Sequence, residues 1–221
     1  MRVINETLKD NKNCIFFGKF NKSCLITYTG IIFAILAMYF SFINIALVDK
    51  SYIRYALACL VLSGICDMYD GKFARLCKRT QEEKKFGVQI DSLADTICFI
   101  ITPIVIMFGM GMQEWYYLIA YTILAICGVS RLGYFNIQAD TENAIKTYKG
   151  LPVTSTAIIY PAVELISASV TLNVLSWIYF VTTIITGIFF VLNIKISKWK
   201  GVAYLIVPIL AAILIVLLMV F

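Results

Sequence analysis

The sequence predicts an all-α fold: a polytopic membrane bundle of six to seven transmembrane helices. Three observations lead there. Of the 221 residues, 61% are hydrophobic and only 14% charged, more apolar surface than a soluble domain of this length can bury. Apolar runs long enough to cross a bilayer recur along the chain. Basic residues gather at alternate ends of those runs.

The runs lie at about 24–48, 52–76, 86–111, 115–138, 152–171, 173–194 and 201–221. Each can cross a hydrocarbon layer of roughly 30 Å at about 1.5 Å per residue. Lipid leaves no partner for free backbone groups, so each must be helical or shielded by protein. The first run starts near Cys24, far from Met1, and is too long for a signal-peptide core, so it reads as a retained span. Residues 1–23 are expected to form a separate amphipathic arm, with 24–221 as the transmembrane domain. In the arm, Phe16, Phe17 and Phe20 share a helical face among lysines, which suits an interfacial helix. Between the fifth and sixth runs, Leu172-Asn173 is the one turn signal.

Of the 19 Lys and Arg, all but Lys50 and Arg54 fall on one side of this topology. They sit in the N-terminal arm and in the connections after the second, fourth and sixth runs. The positive-inside rule then puts the N-terminus in the cytoplasm of a multi-pass cell-membrane protein. The net charge of +6 reads as membrane orientation, with no nucleic-acid partner expected. The chain has no histidine, which excludes imidazole catalysis and histidine zinc sites. Its seven cysteines form no C-x-x-C pair and mostly sit in apolar runs, as small buried hydrophobes do.

Acidic residues inside a membrane domain carry the most information. Asp67 and Asp70 lie three apart near the end of the second run. Asp91 and Asp95 lie four apart near the start of the third. Each pair shares a helix face, and a short basic hairpin makes the two helices antiparallel neighbours. Both pairs can therefore face one gap. Four bare carboxylates there would repel. Two divalent cations would offset them, and oxygen ligands favour hard ions such as Mg²⁺, Mn²⁺ or Ca²⁺. Gly71, Ala74 and Gly87 keep the flanking surface open, and Arg75 offers a fork for phosphate oxygens. Glu164 is a second kind of intramembrane acid, mid-span in the fifth run, and a packing or dimer role is expected for it.

Written out, Asp67-Met-Tyr-Asp70-Gly71-Lys-Phe-Ala74-Arg75, eleven residues, then Gly87-Val-Gln-Ile-Asp91-Ser-Leu-Ala-Asp95 resembles the signature of the CDP-alcohol phosphatidyltransferases. All eight fixed positions match, with a spacer a few residues longer than usual. The stretch from Phe86 to Asp95, Arg131-Leu-Gly-Tyr-Phe-Asn136, Lys149-Gly-Leu-Pro152 and Leu192-Asn193-Ile-Lys195 are similar to the serine-transferring subgroup, the phosphatidylserine synthases. Cys98 and Ile100 depart from that subgroup, where Ser and Gly are usual.

The resemblance implies a membrane enzyme of phospholipid biosynthesis. It implies transfer of the phosphatidyl group of CDP-diacylglycerol to L-serine, with CMP leaving. Asp67, Asp70, Asp91 and Asp95 would hold two divalent cations, Mg²⁺ or Mn²⁺, and Asp95 would also be the catalytic base. Thr27, Gly71, Ala74, Arg75 and Gly87 would line the CDP-diacylglycerol site, and Arg131, Asn136 and Lys149 the serine site. A homodimer with its active site at the cytoplasmic face is expected, among membrane lipids. Two alternatives stay open: another acceptor, such as glycerol 3-phosphate, an inositol phosphate or glycerol, and a divalent-cation transporter using the same carboxylates.

Overall fold

The computed structural model describes residues 24–140, 148–167, 170–196 and 203–220. In chain order these form α1 (Cys24–Leu47), α2 (Ser51–Leu76), α3 (Gln81–Asp95), a π-helical segment (Thr96–Ile101), α4 (Thr102–Gly109) and α5 (Tyr117–Asp140). There follow β1 (Tyr148–Lys149), a 3₁₀ turn (Val153–Ser155), α6 (Thr156–Ser167), α7 (Leu172–Val191), β2 (Lys195–Ile196) and α8 (Ala203–Val220). The interfacial helix expected around Phe16, Phe17 and Phe20 lies outside the described residues.

The all-α class holds, with one addition. β1 and β2 make a two-residue antiparallel pair, Tyr148 opposite Ile196 and Lys149 opposite Lys195. Among the described residues, five helices are long and apolar enough to cross a membrane: α1, α2, the continuous rod Gln81–Gly109, α5 and α7. The expected fifth and seventh spans appear instead as shorter apolar helices, Val153–Ile166 and Val207–Val220. The fifth falls short mainly at its far end, where α6 stops at Ser167 and not 171, while its start is a 3₁₀ turn just after a stretch docked on α7. Gly150 N–H donates to Ile194 O and Leu151 N–H to Phe189 O, so this stretch is spent docking on the end of α7. The sixth helix starts at Leu172 itself, so Leu172-Asn173 is its first turn and the break falls just before it.

α1 and α2 pack along their length. Gly30, Ala34, Ala37 and Ser41 form the buried stripe of α1, at the helical spacing that lets two membrane helices approach closely. The opposite face of α1 exposes Ile32, Ile35 and Tyr39, apolar groups that belong against lipid. At the end of α1 away from Cys24, Asn44 Nδ2 donates to Gly109 O at 2.8 Å, tying α1 to α4. Beyond it, Asp49 accepts the Ser51 N–H at 2.9 Å, and that bond holds its carboxyl below the ordinary carboxylate range.

The long spacer between α2 and α3 is mostly helix. Only Cys77–Thr80 interrupts it, because Thr80 starts α3 five residues before the apolar pattern does. Thr80 Oγ1 accepts Glu83 N–H at 3.2 Å, and Glu83 Oε2 accepts Thr80 N–H at 2.7 Å. This is a reciprocal capping box, worth about 1 kcal/mol of helix start.

Directly after Asp95 the rod widens into the π-helical segment. Pro103 explains the disturbance: it has no N–H, so Phe99 O loses the donor an α-helix would give it. Thr156 Oγ1, from the start of α6, donates to Phe99 O at 3.0 Å instead.

The intramembrane Glu164 has an intrachain partner: Tyr179 of α7 donates to Glu164 Oε2 at 3.0 Å. Tyr160 stacks on Tyr179 with ring centroids 6.0 Å apart. Its hydroxyl lies 3.3 Å from Thr183 Oγ1. The network binds α6 to α7 in the packing role expected for Glu164.

Candidate metal centre

α2 and α3 leave the capped hairpin as antiparallel neighbours and bring both aspartate pairs to one place. Asp67, Asp70 and Asp91 each offer a carboxylate oxygen, all within 4.8 Å of one another. Oxygens that share one hard divalent ion at about 2.0–2.6 Å lie at most roughly 4–5 Å apart. The donor set therefore fits such an ion. Asp95 joins the group through Asp67, with which its carboxyl is in hydrogen-bonding range, as Asp70 is with Asp91. Four negative groups this close, partly buried, repel strongly at low effective dielectric. A cation between them is the natural counter-charge.

The walls come from α1, α2 and the continuous rod Gln81–Gly109. A cleft of about 180 Å³, counting its open mouth, is lined by Asp67, Asp70 and Asp95 together with Thr27, Gly30, Ser63 and Cys98. Thr27 Oγ1 donates to Asp70 Oδ2 at 3.1 Å. Its closest role is thus orienting a carboxylate, beside the donor-site role expected for it. Ser63 Oγ donates to Gly30 O at 3.0 Å, which fixes α1 against α2 at the cleft. Ser63 was not singled out from sequence. A serine three residues before nothing but apolar neighbours and Cys66 gives little signal, although its four-residue spacing to Asp67 puts both on one face.

The flanking residues follow the aspartates outward. Gly71 is exposed, and a Cβ built on it would meet nothing within 4 Å. Neighbouring protein therefore does not demand a glycine there. Ala74 is half-buried and Arg75 exposed on the last turns of α2. On α3, a Cβ on Gly87 would lie 3.4 Å from Nη1 of Arg79.

The three residues expected at a serine site separate. Asn136 of α5 reaches the metal helix: Ser92 Oγ, next to Asp91, donates to Asn136 Oδ1 at 2.7 Å. Arg131 faces another way and is 6% exposed. Its Nη1 donates to Phe190 O at 3.2 Å, and its guanidinium lies 4.6 Å from the centroid of the Phe135 ring. It meets the Lys149-Gly-Leu-Pro152 stretch there. Gly150 has φ +71°, and a Cβ on it would lie 2.6 Å from Phe190 O and 3.0 Å from Arg131 Nη1. Only glycine suits that conformation and that space. Lys149 is placed by its backbone pairing with Lys195. Three sequence stretches far apart in the chain thus meet at one end of α7.

Comparison with known proteins adds the following. The family model for CDP-alcohol phosphatidyltransferase matches residues 20–192. A CDP-diacylglycerol–serine O-phosphatidyltransferase of Saccharomyces cerevisiae is 32% identical over 103 residues, covering 43% of this chain and 36% of the relative. One of Helicobacter pylori is 34% identical over 110 residues, covering 48% of this chain and 45% of the relative. A CDP-diacylglycerol–glycerol-3-phosphate 3-phosphatidyltransferase of Cereibacter sphaeroides is 36% identical over 61 residues, covering 28% and 26%. The matched stretches span less than half the length of these curated relatives.

Proposed function

This chain belongs to the CDP-alcohol phosphatidyltransferase family, and from that premise we propose that it is a phosphatidylserine synthase. It takes CDP-diacylglycerol and L-serine and gives phosphatidylserine and CMP. One observation carries the chemistry: aspartates from two helices converge to within 4.8 Å on a point suited to a divalent ion. The serine acceptor is supported by the names of the yeast and Helicobacter relatives and by the resemblance of the Arg131, Lys149 and Asn193 stretches to the serine-transferring subgroup.

Asp67, Asp70 and Asp91 would hold one ion, and Asp95, beside Asp67, would help to hold a second. Bound there, Mg²⁺ or Mn²⁺ supplies charge neutralisation for the diphosphate and the departing CMP. Thr27 keeps Asp70 turned towards the cleft. Asp95 accepts the proton of the serine hydroxyl as its oxygen attacks the lipid-side phosphorus. The bond from that phosphorus to the CMP oxygen breaks as the new phosphate ester forms. A carboxylate is a weak base for an alcohol, so transfer is late in the step. Gly71, Ala74 and Gly87 leave room for the nucleotide, and Arg75 faces its phosphates. Asn136, bonded to Ser92 beside Asp91, forms the acceptor side, and Arg131 and Lys149 support it from the end of α7. The acyl chains stay in lipid while serine and CMP exchange with the cytoplasm, where the basic connections put this face in the cell membrane. The catalytic domain lies within 24–221, and two copies pair as a homodimer.

Purified protein with Mg²⁺ or Mn²⁺ and CDP-diacylglycerol is expected to release CMP only when L-serine is added. Release with glycerol 3-phosphate instead would support the second reading, which the Cereibacter relative favours. Metal uptake into liposomes without any CMP release would support the transporter.

A further inference from the structure

A cation outside the signature stands at the signature face of α3. Gly87, Asp91 and Asp95 are four apart and share one face of α3. Arg79, in the short break between α2 and α3, folds back so that its Nη1 lies 3.4 Å from the point a Gly87 Cβ would take. That places a guanidinium about one helical turn, roughly 5.4 Å, beyond Asp91 on the same face. Its Nε is buried with no hydrogen-bond partner among the described residues. A buried charged donor left unsatisfied is costly and uncommon in a finished structure. Gly71, four residues after Asp67 on the facing helix, also has open space where a Cβ would stand. The orphaned donor thus stands over Gly87, at the outer edge of the carboxylate group.

The charges there also ask for an anion. Divalent ions offset the aspartates, and a diphosphate brought to them adds negative charge that the ions no longer cover. A planar fork is well matched to phosphate oxygens. We propose that Arg79 is a phosphate-binding residue of the nucleotide donor, holding the phosphate that leaves on CMP. This rests on the phosphatidyltransferase reading and extends it to a residue of the spacer.

The experiment uses metal-loaded full-length protein carrying Arg79→Gln or Arg79→Lys, with Asp91→Asn as control. CMP binding is measured by calorimetry, together with KM for CDP-diacylglycerol and for L-serine. Arg79→Gln is expected to weaken CMP binding and raise donor KM by about 10- to 100-fold, the loss of one charge-assisted bond. The acceptor KM stays within about twofold, and Arg79→Lys falls between. On the wild type, CMP is expected to slow phenylglyoxal modification of Arg79, read by mass spectrometry, which decides the matter if Arg79→Gln fails to fold. Unchanged CMP affinity in Arg79→Gln overturns the proposal, as does a fall in thermal stability with both KM values moving together. If Asp91→Asn abolishes turnover in that case, the family chemistry stands without Arg79. A wild type that binds no CMP overturns both.

Discussion

Replacing Thr156 with valine keeps the shape of the side chain and removes one hydroxyl hydrogen. Thr156 is 0% exposed, and its hydroxyl lies 3.0 Å from both Phe99 O and Val153 O. Val153 O already takes the Thr156 N–H, so the hydroxyl serves Phe99. Pro103 cannot supply the missing backbone donor, so the valine leaves a carbonyl unsatisfied one turn from Asp95. Such an orphan costs about 1–3 kcal/mol. Side-chain hydrogen bonds in membrane proteins measure about 0.6 on average and up to about 1.7 kcal/mol, so about 1–2 kcal/mol is expected. For a chain of this size that lowers Tm by about 2–8 °C. The arrangement also fixes the sign of a coupling. In a Pro103→Ala background residue 103 has an N–H for Phe99 O, and Thr156→Val should then cost only about 0.5 kcal/mol. The assay is thermal unfolding of the four proteins in detergent, with CMP release measured alongside. Equal Tm losses in both backgrounds would refute the reasoning.

Asp91→Asn and Asp95→Asn are each expected to cut CMP release by about a thousandfold or more while the protein stays folded; near-normal turnover in either would remove the site assignment. Chelation should abolish turnover, with Mg²⁺ or Mn²⁺ restoring it, and Thr27→Val should raise the metal concentration needed by a few-fold through loss of its bond to Asp70. Ser92→Ala and Asn136→Ala are expected to be non-additive, with a coupling of about 1 kcal/mol in turnover; additive effects would mean that the 2.7 Å contact does not set the position of Asp91. Tyr179→Phe should lower stability by about 1 kcal/mol and leave donor KM alone, since its bond to Glu164 joins α6 to α7 away from the cleft.

The aspartate site was legible because helical spacing and a short hairpin carry it: three and four residues apart on two joined helices leave few arrangements. The capping box at Thr80 and Glu83 was not read from the sequence: hydropathy put the helix start at 86, because a span is sought where the chain turns apolar. The fifth run failed differently. Hydropathy began it at 152, but α6 starts only at Thr156, after a stretch in which Gly150 and Leu151 are hydrogen-bonded to the end of α7 and the residues beyond it. That is a contact between distant stretches, which no local pattern reports. The same holds for Glu164, whose partner Tyr179 lies on the next helix. Arg131 and Asn136 looked like one group in sequence. Five residues apart on a helix, they point to different neighbours, α7 and α3.

The central claim is that Asp67, Asp70 and Asp91 grip a divalent ion between α2 and α3. Electron paramagnetic resonance of Mn²⁺ bound to the purified protein tests it most directly. Tight Mn²⁺ binding should be lost when any one of the three becomes asparagine, in protein that remains folded. Unchanged Mn²⁺ affinity in all three variants would contradict it.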